Sequence, residues 1–268
     1  MSDQRPATDR PVLVERRGHV MIVTINRPEV RNAVNEAVCR GVGDALEEAE
    51  HDRDVRVVVL TGAGDKAFCA GADLKAITRG ERIIPADREE WGLAGYVRHY
   101  ISKPTIAAVN GVAMGGGTEL ALASDLIVAA ESATFGLPEV QRGLIAGAGG
   151  AFRLVQQVPF RIGLEMLFTG EPITARQALE LNLINRVVPD TEVLKEALAL
   201  AEKIASNAPL AVQASKRIAL RMVNGGRPDE APLWELTAKE VVAVSRSHDA
   251  QEGPRAFAEK RPPVWQGR

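Results

Sequence analysis

Two glutamates occupy places where a carboxylate could do proton chemistry. Glu119 falls in the first turn of a helix expected after Gly115-Gly116-Gly117-Thr118, where the helix dipole favours a negative charge. Glu139 follows Ala133-Thr134-Phe135-Gly136-Leu137-Pro138, an apolar and turn-rich stretch with no basic residue before Arg142. Two carboxyls acting on one water could take one proton and give another, provided that their protonation states differ. Each also has an ordinary explanation: a helix-end charge for Glu119 and a solvated loop carboxylate for Glu139.

Two glycine-bearing loops accompany them. The first is Ala67-Phe68-Cys69-Ala70-Gly71-Ala72-Asp73-Leu74-Lys75, and the second is Asn110-Gly111-Val112-Ala113-Met114-Gly115-Gly116-Gly117-Thr118-Glu119. Each follows an apolar run and leads into a helix. Consecutive glycines leave backbone N–H groups accessible at a helix start, and two such donors converging from two loops would make an oxyanion hole. Glycine suits close helix–strand packing equally well, so the loops alone leave both readings open. A third cluster, Gly62-Ala63-Gly64-Asp65-Lys66-Ala67, fits the dinucleotide pattern G-x-G-x-x-A. It lacks a helix opening at its last position and an acid at a strand end about 20 residues on, so a nucleotide cofactor is not expected.

The elements that must position these residues follow from periodicity. Residues 12–25 alternate apolar and polar positions around Arg17-Gly18-His19, which predicts a hairpin. Val38, Val42, Ala45, Leu46 and Ala49 share one face of a helix over 35–49. Residues 55–60, 104–109 and 126–129 are short apolar runs of the kind buried in parallel sheets, with helical or glycine-rich segments between them. Strands alternating with helices imply right-handed parallel crossovers, and no fixed-length repeat points to a regular solenoid. After about residue 150 the pattern becomes helical. Thr174 and Gln177 form a capping box, Asn182 closes that helix, and 184–188 is one short strand. Residues 192–206, 210–223 and 229–246 are further helices, and Asp249 with Glu252 marks a last capped turn leading to Phe257.

A chain of 268 residues is long enough for one large domain, and 46% apolar with 25% charged residues is ordinary globular usage. A net charge of −2 does not point to nucleic acid or an anionic membrane as partner. Asn110, Glu119 and Asp125 interrupt the most hydrophobic region before it reaches membrane-span length. Residues 1–10 are polar and lack the apolar core of a signal peptide, so a cytoplasmic location is expected. Cys39 and Cys69, the only cysteines, are expected to be reduced, partly buried thiols.

Taken together, these segments resemble the crotonase (enoyl-CoA hydratase/isomerase) family over nearly the whole chain. Asn26-Arg27-Pro28 with Arg31-Asn32-Ala33 resembles its opening motif, and the stretch from Phe68 to Lys75 its first oxyanion loop. Lys103-Pro104 through Glu119-Leu120-Ala121-Leu122-Ala123-Ser124-Asp125 resembles the second loop. Phe135 to Glu139, Gly143-Leu144 and Gly147-Ala148-Gly149-Gly150 resemble the rest of the active-site set. Thr169-Gly170, Ala208-Pro209-Leu210-Ala211 and the tail from Glu252 to Pro262 match the helical part.

The resemblance implies an α/β fold: a spiral of ββα repeats over residues 1–200, then a helical C-terminal region, 201–268, that mediates trimerisation, with trimers often paired into hexamers. It implies that the backbone N–H groups of Ala72 and Gly116 form the oxyanion hole. It also implies that Glu119 and Glu139, twenty residues apart as in hydratases of the family, are the catalytic acids. On that basis Glu119 is the base that activates water and Glu139 the acid that protonates the α-carbon. An acyl-CoA is the substrate, and no metal or redox cofactor is needed. Arg31 and Lys260 are candidates for the CoA phosphates. Ala33, Ala70, Asp73, Leu74, Lys75, Gly115, Pro138, Leu144 and Phe257 complete the expected substrate-binding set. In one departure, Ala146 stands where many members have proline, in a loop bordering the site; residues 78–95 form a variable segment that helps to shape the acyl pocket. Three functions compete: an enoyl-CoA hydratase; an isomerase or a specialised hydratase of carnitine, steroid or aromatic breakdown; and a non-catalytic acyl-CoA-binding module. Retention of both glutamates favours the first.

Overall fold

The computed structural model describes residues 10–268; the polar stretch 1–9 lies outside the described residues. The expected hairpin forms from β1 (Val12–Arg17) and β2 (Val20–Ile25), antiparallel, with Gly18 in the turn at φ 57°. Helix α1 (Glu36–His51) starts where the Asn35 side chain accepts a hydrogen bond from Val38 N, and it buries the apolar face that the spacing marks out.

The chain then winds through repeated strand–strand–helix turns. The first is β3 (Val57–Gly62), β4 (Ala67–Cys69) and α2 (Leu74–Thr78). The second is β5 (Thr105–Val109), β6 (Val112–Met114) and α3 (Gly116–Ala123). The third is β7 (Leu126–Ala130), β8 (Thr134–Gly136) and a 3-10 turn, Pro138–Arg142. Helices α4 (Gly150–Gln157) and α5 (Phe160–Thr169) follow, then β9 (Ile173–Thr174), α6 (Ala175–Glu180), β10 (Arg186–Val188) and α7 (Val193–Ala205). Last come α8 (Pro209–Ala219), α9 (Ala231–Ser245) and α10 (His248–Ala258).

The first strands of successive turns stack in parallel in a six-stranded sheet, β1-β2-β3-β5-β7-β10, with only β1 antiparallel, and the second strands in a four-stranded sheet, β4-β6-β8-β9, with only β9 antiparallel. This is the expected spiral of ββα units. Val58 pairs with Thr105, but Ile106 pairs with Leu126, so successive turns differ in length by more than twofold. That difference is why the architecture repeats while the sequence does not. Strand β3 is buried along its whole length, and α7 packs across β3, β5 and β7.

Some boundaries differ from the sequence-based expectation. The second sheet was not anticipated, because strands of two or three residues are too short to show alternation. Gly62-Ala63-Gly64 leads into strand β4 and not into a helix, so the apparent dinucleotide pattern is a tight turn between strands. Helix α8 stops at Ala219, and the chain bends away through Arg221 and Asn224, both in the left-handed region. Ser247, not Asp249, caps the last helix by accepting from Ala250 N. Asp249 instead accepts from Gln266 N and Gly267 N, and buried Glu252 pairs with Arg255 and Arg261; the two acids hold the tail.

Candidate active site

The opening motif acts on the first glycine loop. Arg27 pairs with Asp73 at 2.9 Å and donates to Ala33 O, while the buried Asn32 amide donates to Ala63 O and Ala67 O. Ala70 N donates to Arg31 O, Val34 N to Gly71 O, and Asp73 N to Val34 O. Residues 70–73 are thus bonded at almost every position except Ala72, whose N–H has no backbone acceptor among the described residues. Gly71, at φ 88°, reverses the chain so that this N–H turns inward.

The second loop leaves β6 and enters α3 through Gly115, at φ 55° and ψ −121°, a conformation open only to glycine. Gly115 N donates to Gly136 O at 2.8 Å. The Thr118 hydroxyl donates to Ala113 O and accepts from Gly136 N, tying the helix start to β6 and β8. Gly116 N is the first, unpaired N–H of the helix. The two loops touch: a Cβ on Gly116 would lie 3.1 Å from Gly71 Cα and 3.6 Å from Ala72 N. A Cβ on Gly117 would fall 1.9 Å from Cys69 O. The two glycines differ in what they do locally. Gly117 serves close packing, and Gly116 brings a free N–H beside that of Ala72.

The two acids flank this point. Glu119, 3% exposed, sits one turn along α3, and its Oε1 accepts from Ala148 N at 2.7 Å and Gly150 N at 2.9 Å. Burial first, then the charge of Glu139, pushes its carboxyl up to about 8, against the pull of these two N–H groups and of Arg153. Glu139 stands in the first turn of the 3-10 segment, and a Cβ on Gly115 would lie 2.9 Å from its Oε1. Burial raises Glu139 to about 7, and its Oε2 is buried without a hydrogen-bond partner. Two raised carboxyls that feel each other titrate as a pair, and between their two proton losses the pair holds one proton. An unpaired buried oxygen is less costly on a neutral acid than on a carboxylate, and two N–H donors favour a carboxylate. The two N–H donors favour charge on Glu119 and the unpaired Oε2 favours a proton on Glu139, whereas deeper burial raises Glu119 further than Glu139; the single proton belongs to the pair.

A cavity of about 620 Å³ joins these groups. Of the residues singled out in the sequence, Ala70, Ala72, Leu74, Gly115, Gly116, Glu119, Pro138, Glu139, Leu144 and Phe257 line it. Arg31, Ala33, Asp73, Lys75 and Lys260 do not. Arg31 gives its carbonyl to Ala70 N of the first loop and Ala33 gives its carbonyl to the Arg27 guanidinium, Asp73 caps α2 and binds Arg27, and Lys75 and Lys260 are exposed. Ile84, Glu89, Gly92 and Leu93 of the variable segment also form part of the wall. No motif pointed to a further part of the wall: Trp234, Thr237, Ala238 and Val241 of α9, which fold back from the helical region over their own chain's cavity. Their contacts fall on the glycines that flank the Glu119 donors. A Cβ on Gly147 would meet Val241, and one on Gly149 would meet Trp234. A larger cavity, about 770 Å³, opens between the sheet and α8 around the Asp125–Lys216 ion pair, but it touches neither acid nor either glycine loop. Cys39 and Cys69 are free and buried, and burial pushes each thiol up to about 12, so neither is a nucleophile at neutral pH.

Comparison with known proteins agrees with this geometry. Residues 15–268 match the protein-family model described as enoyl-CoA hydratase/isomerase. The chain is 44% identical to enoyl-CoA hydratase EchA19 of Mycobacterium tuberculosis, over 96% of each protein. It is 42% identical to the carnitinyl-CoA dehydratase of Salmonella typhi, over 94% of this chain and 97% of that one. The crystal structure of a carnitinyl-CoA hydratase from Mycobacterium avium superposes with a TM-score of 0.96 at 62% identity, covering 97% of this chain and 99% of that one. Fold, paired acids, facing N–H groups and sequence all lead to one conclusion: the chain belongs to the enoyl-CoA hydratase/isomerase, or crotonase, family.

Proposed function

We propose that this protein adds water across the 2,3 double bond of a 2-enoyl-CoA thioester to give a 3-hydroxyacyl-CoA. The observation that carries the reading is the pairing of two raised carboxyls, Glu119 and Glu139, beside the unpaired N–H groups of Ala72 and Gly116. The Glu119 carboxylate, with Oε1 fixed by two N–H donors, takes a proton from water through its other oxygen. The water oxygen bonds to C3, and the double-bond electrons move onto the thioester oxygen. Ala72 N–H and Gly116 N–H hold that oxygen as it gains charge, an effect worth about 3 kcal/mol per donor. The Glu139 acid then gives its proton to C2, the carbonyl re-forms, and proton exchange within the pair restores the starting state. Proton transfer alone completes the reaction, so coenzyme A enters as part of the substrate and no metal or redox group is called for.

Arg31 and Lys260 are exposed and do not line the cavity, so any contact they make with the CoA phosphates is made outside it. The helical region, residues 201–268, presents Leu210, Ile218, Leu236 and Val242 to solvent, and this apolar surface supports a homotrimer or a dimer of trimers. Among the described residues no helix is long and apolar enough to cross a membrane. With the near-neutral net charge, this supports a cytoplasmic enzyme without a nucleic-acid or membrane partner. The test is to incubate the protein with a panel of 2-enoyl-CoA esters and follow loss of the conjugated thioester absorbance. Hydration of at least one ester at an enzymatic rate is expected. Tight binding without turnover across the panel would instead leave a non-catalytic acyl-CoA-binding protein.

A further inference from the structure

The wall beyond the acids is electrostatically one-sided. Glu119 is held by Ala148 and Gly150, and the neighbouring glycines press on Val241 and Trp234 of α9, so an acyl chain running past C3 meets α9 and the segment 92–98. Only two aromatic rings line the cavity among the described residues, Trp234 and Phe257. Each already faces a guanidinium. Arg98 lies 5.0 Å and Arg153 5.3 Å from the Trp234 ring centre, and Arg142 lies 4.1 Å from that of Phe257. Trp234 is held in this arrangement. Its Nε1 donates to buried Glu230, which also binds Arg153, and Phe152 meets the ring edge-on at 5.1 Å. Besides the catalytic pair the cavity has one carboxylate, Glu89, which is bonded to Arg82. Arg153 pairs with Glu230, whereas Arg98 enters no ion pair among the described residues; it is exposed and borders both this cavity and a second one lined by Glu47, Glu50 and Glu90.

A quaternary ammonium is recognised by bare aromatic faces or by a spare carboxylate. This wall offers neither. An oxygen acceptor or an anion at the same place would find the planar donor fork of Arg98. We propose that Arg98, stacked on Trp234, sets the substrate class: the enzyme favours 2-enoyl-CoA esters whose acyl group ends in a carboxylate and rejects those ending in a trimethylammonium group. This rests on the hydratase reading of the same site. It also separates the chain from the carnitinyl-CoA proteins it resembles, since a carnitinyl group carries a quaternary ammonium.

The experiment uses 2-enoyl-CoA esters of four to eight carbons, each length ending in methyl, carboxylate or trimethylammonium, with the wild-type protein, Arg98→Gln and Arg98→Glu. Wild type should prefer the carboxylate over the ammonium ester by about a hundredfold in kcat/KM at the length that reaches Arg98, the scale of replacing an attractive by a repulsive charge contact. Arg98→Gln should reduce that preference to about tenfold or less, and Arg98→Glu should invert it. A thermal melt of each variant checks that the fold persists, and turnover of the methyl-ended ester serves as the reference within each protein, so that only the ratio between charged esters is read. Equal turnover of the two charged esters by wild type at every length, or no change in their ratio in Arg98→Glu, overturns the proposal. Binding of the saturated analogues, measured by calorimetry, reads the same charge preference without turnover. If no enoyl ester were hydrated, the hydratase reading would fall while the binding order still decided the role of Arg98.

Discussion

Gly150→Ala tests the way Glu119 is held without removing a reacting group. Gly150 is the first residue of α4, and its backbone is not in the left-handed region, so alanine fits the local conformation. The helix itself gains, because alanine is better than glycine by up to about 1 kcal/mol. The added Cβ, however, would lie 2.9 Å from Glu119 Cγ, 3.0 Å from Glu119 Oε1 and 3.0 Å from Ala146 Cβ. Ordinary carbon contacts are about 3.5–4.0 Å, so the Glu119 carboxyl must retreat by roughly half an ångström to one ångström. The bonds to Ala148 N and Gly150 N, now 2.7 and 2.9 Å, stretch as it goes. A misplacement of about 1 Å costs about a hundredfold in rate, so kcat should fall about ten- to a hundredfold. KM should stay within about threefold, because the carboxyl contributes to the transition state more than to ground-state binding. Enoyl thioester absorbance gives both constants, and a thermal melt checks that the fold persists. A variant that keeps kcat within about twofold of wild type would refute the claim that these two N–H groups set the working position of Glu119.

Other outcomes follow from the same geometry. Glu119→Gln and Glu139→Gln should each lower kcat by about 10²–10⁴ with nearly unchanged binding of a saturated acyl-CoA, measured by calorimetry; a variant with wild-type turnover would strip that residue of its role. Because activity needs one proton on the pair, kcat/KM against pH should be bell-shaped, falling at alkaline pH as the carboxyls raised to about 8 and about 7 lose their last proton; a profile flat to pH 10 would contradict this. The Glu119 carboxyl is raised in the folded state from 4.5, so the folded protein binds more protons than the unfolded chain across that window, and stability is lost as pH rises toward about 8. The melting temperature of Glu119→Gln should therefore decline less than that of wild type between pH 5 and pH 9, by calorimetry at matched ionic strength. Gly116→Pro removes the second oxyanion donor and also sets a Cβ 2.5 Å from Leu93 Cδ2 and 3.1 Å from Gly71 Cα, so both changes should abolish turnover; activity comparable to wild type would remove Gly116 N–H from the mechanism. Light scattering at micromolar concentration should give the mass of a trimer or its double, and a monomer would contradict the proposed use of the exposed apolar helix faces.

What the sequence determined by itself is whatever depends on neighbours along the chain. The hairpin turn at Gly18, the buried face of α1 and the Thr174–Gln177 capping box are local, and each forms where its pattern places it. The glycine loops and the two acids were also legible, as residue types in an ordered set of motifs. Tertiary structure decided what those motifs are for. Asp73 was expected in the binding set and Asn26-Arg27-Pro28 stood only as an opening motif, but Arg27 and Asn32 reach more than thirty residues along the chain to brace the first loop. Burial of Glu119 beside Glu139, which raises both carboxyls, comes from bringing α3, the 3-10 turn at 138–142 and the start of α4 to one point, and no spacing rule encodes that convergence. The closure of the cavity by Trp234 and Val241 of α9 was invisible for the same reason. Their partners, Gly147 and Gly149, are far away in sequence. Hydrophobic burial is also non-directional, so a helical pattern shows which side chains must leave water but not which surface will cover them.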